Sequence, residues 1–76
     1  MADQVLDARG LNCPLPILKA KIALKSLTSG QTLEILSTDP SSVVDFGAYC
    51  RATGNELLQL NEQDGVLTYL IRKKAQ

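Results

Sequence analysis

Two prolines one residue apart, Pro14 and Pro16, fix where the first helix of this chain begins. They are followed by Ile17 to Lys25, a run in which apolar residues and lysines recur at helical spacing. Proline is favoured in the first turn of a helix, because its missing N–H would have no intrahelical partner there and its φ is already close to helical. The sequence therefore predicts a helix with Cys13 as the N-cap, Pro14 at N1 and Pro16 at N3.

The predicted cap residue is a cysteine, where Ser, Thr, Asp or Asn is usual. With Pro16 in the first turn, the N–H groups expected near the sulfur are those of Leu15 and Ile17, at the positive end of the helix dipole. Such a place lowers the pKa of a thiol below its free value of about 8.5, and the thiolate is the nucleophile. Arg9, four residues upstream, is expected to add to the positive field. We favour this reactive thiol over the alternative that Cys13 is a small buried hydrophobic residue.

A longer motif surrounds the cysteine. Residues 7–16 read Asp-Ala-Arg-Gly-Leu-Asn-Cys-Pro-Leu-Pro. This run resembles the signature Asp-x-x-Gly-Leu-x-Cys-Pro-x-Pro of the TusA/SirA family of small bacterial sulfur-carrier proteins. The resemblance continues through Asp39-Pro40 and the closing Tyr69–Lys73, so it covers nearly the whole chain. It implies a sulfurtransferase that holds sulfur as a covalent persulfide on Cys13 and needs no cofactor. The residues expected to support this site are Arg9, Gly10, Pro14, Pro16 and Asp39.

The resemblance also implies the partners of such a relay. The sulfur donor would be a cysteine desulfurase or a rhodanese-like protein, the acceptor another relay protein, and the product thiolated wobble uridine in transfer RNA. Asn12 and Leu15 stand where the tRNA-thiolation branch tends to have a basic and an acidic residue. Sulfur trafficking in sulfur oxidation or in molybdenum-cofactor assembly therefore stays open. The predicted cap geometry by itself fits peroxide reduction and disulfide exchange equally well.

The length and the net charge of the chain limit its domain organisation and the kinds of partner that it is expected to bind. At 76 residues the chain is expected to form a single domain, residues 1–76, and to be a monomer when free. No apolar run is long enough to span a bilayer, and acidic Asp3 and Asp7 do not fit a signal peptide, so we expect a cytoplasmic protein. The net charge of zero argues against direct binding of nucleic acid. An RNA-binding or regulatory module, suggested by analogy with the C-terminal domain of a translation initiation factor, is thus the less favoured hypothesis.

The numbers of cysteines and histidines exclude further kinds of site. Two cysteines are too few for a disulfide scaffold, and a chain without His is not expected to hold a common metal site or a Cys–His pair. Helix geometry and nearby cations would have to activate the thiol instead.

The order of predicted elements is βαβαββ. Strands are predicted at Gln4–Ala8, Thr32–Thr38, Asn55–Asn61 and Val66–Lys73, with one helix from the prolines to Ser29-Gly30 and a second from Asp39-Pro40 to Gly54. The strand–helix–strand crossover makes the first two strands parallel, and Asp64-Gly65 predicts a hairpin between the last two. The fold class is a two-layer α/β sandwich, with a four-stranded mixed sheet and both helices on one face.

The first helix carries two apolar stripes. Ile17, Ala20, Ala23, Leu24 and Leu27 form the predicted core stripe. Leu15, Leu18 and Ile22 form a second stripe flanked by Lys19, Lys21 and Lys25. This second stripe is either part of a broadly buried helix or an exposed surface on which partner proteins dock.

Two residues of the second helix have alternative roles. Cys50 shares one helix face with Val43, Phe46 and Gly47, which predicts a core cysteine rather than a resolving thiol. Asp39 is predicted to be a plain N-cap rather than a participant in sulfur handling.

Overall fold

The computed structural model describes residues 2–12 and 14–74. Its elements are β1 Gln4–Ala8, α1 Leu15–Lys25, β2 Thr32–Ser37, α2 Ser42–Thr53, β3 Glu56–Gln63 and β4 Val66–Arg72. The predicted order βαβαββ and the α/β class are confirmed. Cys13 lies outside the described residues, as do Met1 and residues 75–76.

The four strands form one mixed sheet in the order β1-β2-β4-β3. β1 is parallel to β2, as the crossover predicts, and β4 is antiparallel to both of its neighbours. In the central pair, Leu33 lies opposite Ile71 and Ile35 opposite Tyr69, and all four side chains are fully buried. Residues on this inward side alternate with more exposed ones, because successive side chains of a strand point to opposite faces. Both helices pack on the inward face and close a two-layer sandwich.

The β3–β4 hairpin turns at Asp64 and Gly65, both of which have positive φ, 53° and 80°. This is the backbone that two-residue hairpin turns need, and Asp-Gly supplies it readily. Because the turn takes only these two residues, Glu62 and Gln63 stay in the ladder opposite Leu67 and Val66. β3 therefore ends two residues later than the sequence predicts, and because it also begins one residue later, at Glu56, it is one residue longer.

The first helix begins one residue later than predicted. Pro14, not Cys13, is the N-cap, which places Leu15 at N1 and Pro16 at N2. The Leu15 N–H donates to the carbonyl of Asn12 at 2.8 Å, which closes a turn ahead of the helix. The first bond of the helix proper runs from the Leu18 N–H to the Pro14 carbonyl at 3.1 Å. The prediction of Pro14 at N1 and Pro16 at N3 was thus wrong by one position.

α1 also ends earlier than predicted, at Lys25 with Ser26 as the C-cap. The N–H groups of Ser26 and Leu27 bond to carbonyls three residues back, at 3.2 Å each, so the last turn tightens and the helix stops before the Ser29-Gly30 signal.

The second helix begins after an Asx turn rather than at Asp39. The Asp39 carboxylate accepts the Ser41 N–H at 3.1 Å, and Ser41 is the N-cap of α2. The side chain of Asp39 therefore stabilises the turn two residues before the cap, and the predicted N-cap role for Asp39 was wrong. At the other end Gly54 closes α2 as predicted, with φ of 82° and its N–H on the carbonyl of Cys50 at 2.9 Å.

The residues predicted to form the buried faces of the two helices are, with one exception, in the core. From α1 and the segment after it, Ala20, Ala23, Leu24 and Leu27 are buried, and Ile17 packs against them. From α2, Phe46 and Cys50 are buried, so Cys50 is a core residue as predicted, whereas Val43 is more exposed than predicted.

The second stripe of α1 is exposed. Leu15 and Leu18 keep 44% and 45% of their surface accessible and Ile22 keeps 71%, so the alternative of a broadly buried helix is wrong.

Candidate functional site

The candidate site lies where two parallel strands end and both helices begin. β1 leads into the loop that carries the cysteine motif, and β2 leads into the loop before α2. In α/β folds, ligands and reaction partners approach this carboxyl end of parallel strands. Asn12 and Pro14, the residues on either side of Cys13, are both exposed.

The two prolines set which backbone amides are available at the start of α1. Pro14 and Pro16 have no N–H, and that of Leu15 is taken by the Asn12 carbonyl. The expectation that the Leu15 amide serves the sulfur is therefore wrong. Ile17 stands at N3 of the first turn, the position whose amide a capping atom usually engages. Pro16 has a second role, because its ring is fully buried and anchors this turn to the core.

Arg9 is paired with Asp7 on the exposed end of β1. Its Nε and Nη2 donate to the two carboxylate oxygens at 2.9 Å each, and its N–H donates at 3.1 Å. The side-chain hydrogen bonds from Arg9 lower the pKa of Asp7 to about 2. The pair carries no net charge, so Arg9 does not supply the uncompensated positive field that the sequence suggested. The sequence analysis considered the positive charge of Arg9 but not its pairing with the carboxylate of Asp7, two residues earlier.

Gly10 ties the cysteine loop to the neighbouring loop. Its φ is 82°, and its N–H donates to Oγ1 of Thr38 at 2.9 Å. Leu11 closes the same turn with a bond of 3.3 Å to the Ala8 carbonyl. The sequence analysis predicted a supporting role for Gly10 but missed Thr38. The signal for Thr38 was its place directly after a strand parallel to β1.

The loop before α2 is held by a group of short polar contacts. The Asp39 carbonyl accepts two hydrogen bonds from Ser42, one from its backbone N–H at 3.0 Å and one from its hydroxyl at 2.7 Å. The Ser42 hydroxyl also lies 2.6 Å from the hydroxyl of Tyr69 on β4, and both side chains are buried. Burial raises the pKa of Tyr69, so its hydroxyl stays protonated as a hydrogen-bond donor. Asp39 therefore shapes the loop with its carboxylate and links it to the core with its carbonyl.

The exposed stripe of α1 starts beside this edge. Leu15, Leu18 and Ile22 run along the helix from its first turn, and α1 contains lysines but no acidic residue. Lys21 lies with its Nζ 5.7 Å from the centre of the Tyr49 ring, within cation–π range. The surface is thus apolar along its middle and positively charged at its margins.

Among residues 2–12 and 14–74, no three His, Cys, Asp or Glu side chains lie together as a metal site would require. Within the same residues, no helix has both the length and the apolar character needed to cross a membrane.

Comparison with known proteins decides the family. Residues 4–73 match the family described as sulfurtransferase TusA. The chain belongs to the TusA family. It is 55% identical to the sulfur carrier protein TusA of Allochromatium vinosum over 93% of each chain. It is 49% identical to a putative sulfur carrier protein of Neisseria meningitidis serogroup A, over 97% of this chain and all of that one.

A solved structure of a SirA-like protein confirms the fold. The crystal structure of a SirA-like protein from Desulfitobacterium hafniense superposes with a TM-score of 0.83 at 27% identity, covering 93% of this chain and 97% of that one. The resemblance carried by residues 7–16 is therefore confirmed at the level of family and fold. Membership in the TusA family makes the chain a sulfur carrier in the broad sense, with other proteins of a sulfur relay as its partners.

Proposed function

We propose that this protein is a sulfurtransferase that accepts sulfane sulfur as a persulfide on Cys13 and relays it to a partner protein. The observation that carries the proposal is the position of the family motif at the carboxyl end of β1, directly before α1. Exposed residues flank Cys13 in the chain, and the first turn of α1 follows directly. A thiolate at this point is favoured by the positive end of the helix dipole.

The transfer is a thiol exchange in two balanced steps. The thiolate of Cys13 attacks the outer sulfur of a donor persulfide, a sulfur–sulfur bond forms on Cys13, and the donor's own sulfur–sulfur bond breaks to release the donor as a thiolate. An acceptor thiolate then attacks the outer sulfur on Cys13 and returns it to the thiolate form. One sulfur atom moves in each step and no net oxidation occurs, so the chemistry needs no cofactor.

The donor proposed for this relay is a cysteine desulfurase or a rhodanese-like protein, and the acceptor is another relay protein. Transfer of sulfur towards 2-thiouridine in transfer RNA is the leading pathway, with sulfur oxidation and molybdenum-cofactor assembly as alternatives. The protein would touch its partners rather than RNA, because it has no net charge with which to bind phosphates. We place it in the cytoplasm, where thiols are kept reduced.

We propose the stripe of Leu15, Leu18 and Ile22 as the docking surface for these partners. It lies on the helix that begins next to Cys13, so a partner seated on it would bring its own sulfur close to the motif. Its lysine margins favour partners with an acidic rim around an apolar centre. The small area fits a carrier that must release each partner after transfer.

Loading with sulfur tests the proposal directly. The protein is incubated with a cysteine desulfurase, pyridoxal phosphate and cysteine, and its intact mass is measured before and after treatment with a reducing agent. We expect a gain of one sulfur atom that reductant removes, on the peptide that contains Cys13. Absence of loading by desulfurase and by a rhodanese-like donor, or loading on Cys50 alone, would contradict the proposal.

Docking is tested by a matched pair of surface substitutions. Ile22→Ser is compared with Val44→Ser on α2, because both side chains are 71% exposed and neither belongs to the core. Only Ile22→Ser should slow sulfur transfer from the protein donor, roughly tenfold, as expected for loss of one central apolar contact. Alkylation of Cys13 by iodoacetamide should be unchanged in both variants. Equal transfer rates for the two variants would show that partners dock elsewhere.

A further inference from the structure

A second concave site lies at the opposite end of the helices from the cysteine motif. It is a cavity of about 210 Å³ between the carboxyl-terminal halves of α1 and α2, lined by Lys21, Leu24, Lys25, Tyr49, Asn55 and Lys73. The cavity is separate from the candidate site, because the cysteine motif precedes the start of α1. Pockets for drug-sized ligands measure roughly 300–1,000 Å³, so this smaller cavity suits a ligand of few atoms.

The cavity brings three lysines together. Lys21 and Lys25 are about one helical turn apart on α1, so they lie on the same face, and Lys73 joins them from the position after β4. None of the described residues that line the cavity is acidic. Like charges gathered in this way raise the free energy of the folded protein, and an anion held among them would lower it.

Lys73 is fixed beside the cavity by its own contacts. Its backbone N–H donates to the Gln31 carbonyl at 2.8 Å, and its carbonyl accepts the Gly30 N–H at 3.0 Å. Its Nζ donates to the carbonyl of Leu27 at 2.6 Å, just beyond the end of α1. An ammonium group has three N–H donors, and this contact uses one of them. The charge is therefore held in place without exhausting its capacity to bond to an anion.

Tyr49 and Asn55 supply neutral polar groups to the same cavity. The Oδ1 atom of Asn55 accepts the backbone N–H of Lys74 at 2.7 Å, which orients the side-chain amide. Burial raises the pKa of Tyr49, so its hydroxyl is protonated at neutral pH, and a weaker opposing effect comes from a hydrogen bond with the Asn55 side chain. Because that bond favours the ionised tyrosine, Asn55 is its donor. The Tyr49 hydroxyl keeps its own proton to donate.

The charge of Lys21 is shared with an adjoining groove. Lys21 and Tyr49 line that groove together with Asp45, and the Lys21 Nζ lies 5.7 Å from the centre of the Tyr49 ring. Asp45 therefore offsets part of the positive charge of Lys21. Lys25 and Lys73 line the cavity but not the groove, so they are expected to contribute most to binding an anion.

We propose that this cavity binds a small, doubly charged oxyanion of the phosphate type, either as the free ion or as the terminal group of a phosphate monoester. The ammonium groups of Lys25 and Lys73 attract the anion, and the Tyr49 hydroxyl adds a neutral donor. Lysine suits such a ligand, because its compact charge bonds to any of the oxygens. The site requires neither Cys13 nor sulfur transfer, so it stands apart from the proposed function.

Nuclear magnetic resonance of the isotope-labelled protein tests the site. Inorganic phosphate and glycerol phosphate are titrated separately at about pH 8, where phosphate groups carry close to two negative charges, and sodium chloride keeps the ionic strength constant. We expect saturable shifts of backbone amide signals centred on Lys25, Asn55 and Lys73. Saturation by inorganic phosphate alone assigns the site to the free ion, and saturation by glycerol phosphate assigns it to a terminal phosphate group. Absence of saturation with both overturns the proposal.

Lys25→Gln and Lys19→Gln form a matched pair of variants. Each removes one positive charge from an exposed side chain of α1, but Lys19 lines a different groove, beside β1. Lys25→Gln should raise the dissociation constant for phosphate roughly tenfold, as expected for loss of one charged hydrogen bond. Lys19→Gln should change it by less than about twofold, because an exposed charge outside the cavity is screened by salt.

Equal weakening of phosphate binding by the two variants would overturn the proposal, because it would show general attraction by the charge of the surface. Equal binding of acetate at the same ionic strength would also overturn it, since acetate carries a single charge. Circular dichroism confirms that both variants are folded. Because no sulfur donor or thiol is involved, failure of sulfur loading would leave these results unaffected.

Discussion

Replacing Cys13 with serine is expected to abolish sulfur loading and transfer, whereas Cys50→Ser should keep both. A serine hydroxyl is not ionised near neutral pH and forms no persulfide, so the relay has no other atom on which to place the sulfur at this position. Cys50 cannot substitute for it, because its side chain is only 7% exposed on the core face of α2. Burial also raises the pKa of the Cys50 thiol, which keeps the thiolate scarce at neutral pH.

The measurement compares the wild-type protein with Cys13→Ser and Cys50→Ser under the loading conditions given above. Mass spectrometry reports the added sulfur, and radiolabelled sulfur in an acceptor protein reports the transfer. Circular dichroism confirms that each variant is folded. Retained loading in Cys13→Ser that disappears when Cys50 is also replaced would show that Cys50, and not Cys13, accepts the sulfur.

The raised pKa of Cys50 has a pH consequence of its own. Its thiolate fraction at a given pH is lower than that of a free cysteine, so alkylation of folded Cys13→Ser should be slow and should rise only at alkaline pH. Addition of denaturant removes both the burial and the shift, and alkylation should then approach the rate of a free thiol. Fast alkylation of the folded variant at neutral pH would show that α2 opens readily.

Local pattern was enough to predict the elements and the core. The alternation Leu33, Ile35 along β2 and the spacing of Ala20 and Leu24 on α1 come directly from the periods of strand and helix, and both sets are buried. Helix starts were predicted less well, because they depend on bonds made before the helix begins. The Asn12 carbonyl takes the Leu15 amide, and the Asp39 carboxylate takes that of Ser41, so both helices begin later than the proline signals indicate.

The candidate site was predictable only in part, for a related reason. Cys13 and Gly10 stand in a contiguous motif, so the sequence alone singles them out. Thr38 is 28 residues from Gly10 and enters the site through the parallel pairing of β1 with β2, which brings the two loops together. The ion pair between Arg9 and Asp7 was missed although the two residues are close in sequence. The alternation of residues at the end of β1 does not show in which direction the long side chain of Arg9 turns.

Phe46→Ala is expected to produce the largest loss of stability among core substitutions of α2. The Phe46 ring is fully buried, and its centroid lies 4.6 Å from that of the Tyr69 ring at a tilt of 37°, so its removal leaves a cavity between helix and sheet. Truncation of a buried phenylalanine costs about 3–5 kcal/mol of unfolding free energy. For a domain of this size the total free energy of unfolding is roughly 4–11 kcal/mol, so the substitution would remove a large part of it.

Urea unfolding followed by circular dichroism measures this effect, with Val44→Ala as the control on the exposed side of the same helix. The control should change the free energy of unfolding by less than about 0.5 kcal/mol, because Val44 is 71% exposed. Phe46→Ala should also disturb the site, since the ring that it removes supports Tyr69, whose hydroxyl holds the loop at Ser42. A loss below about 1 kcal/mol would contradict this expectation, because it would mean that neighbouring side chains collapse into the space that the ring leaves.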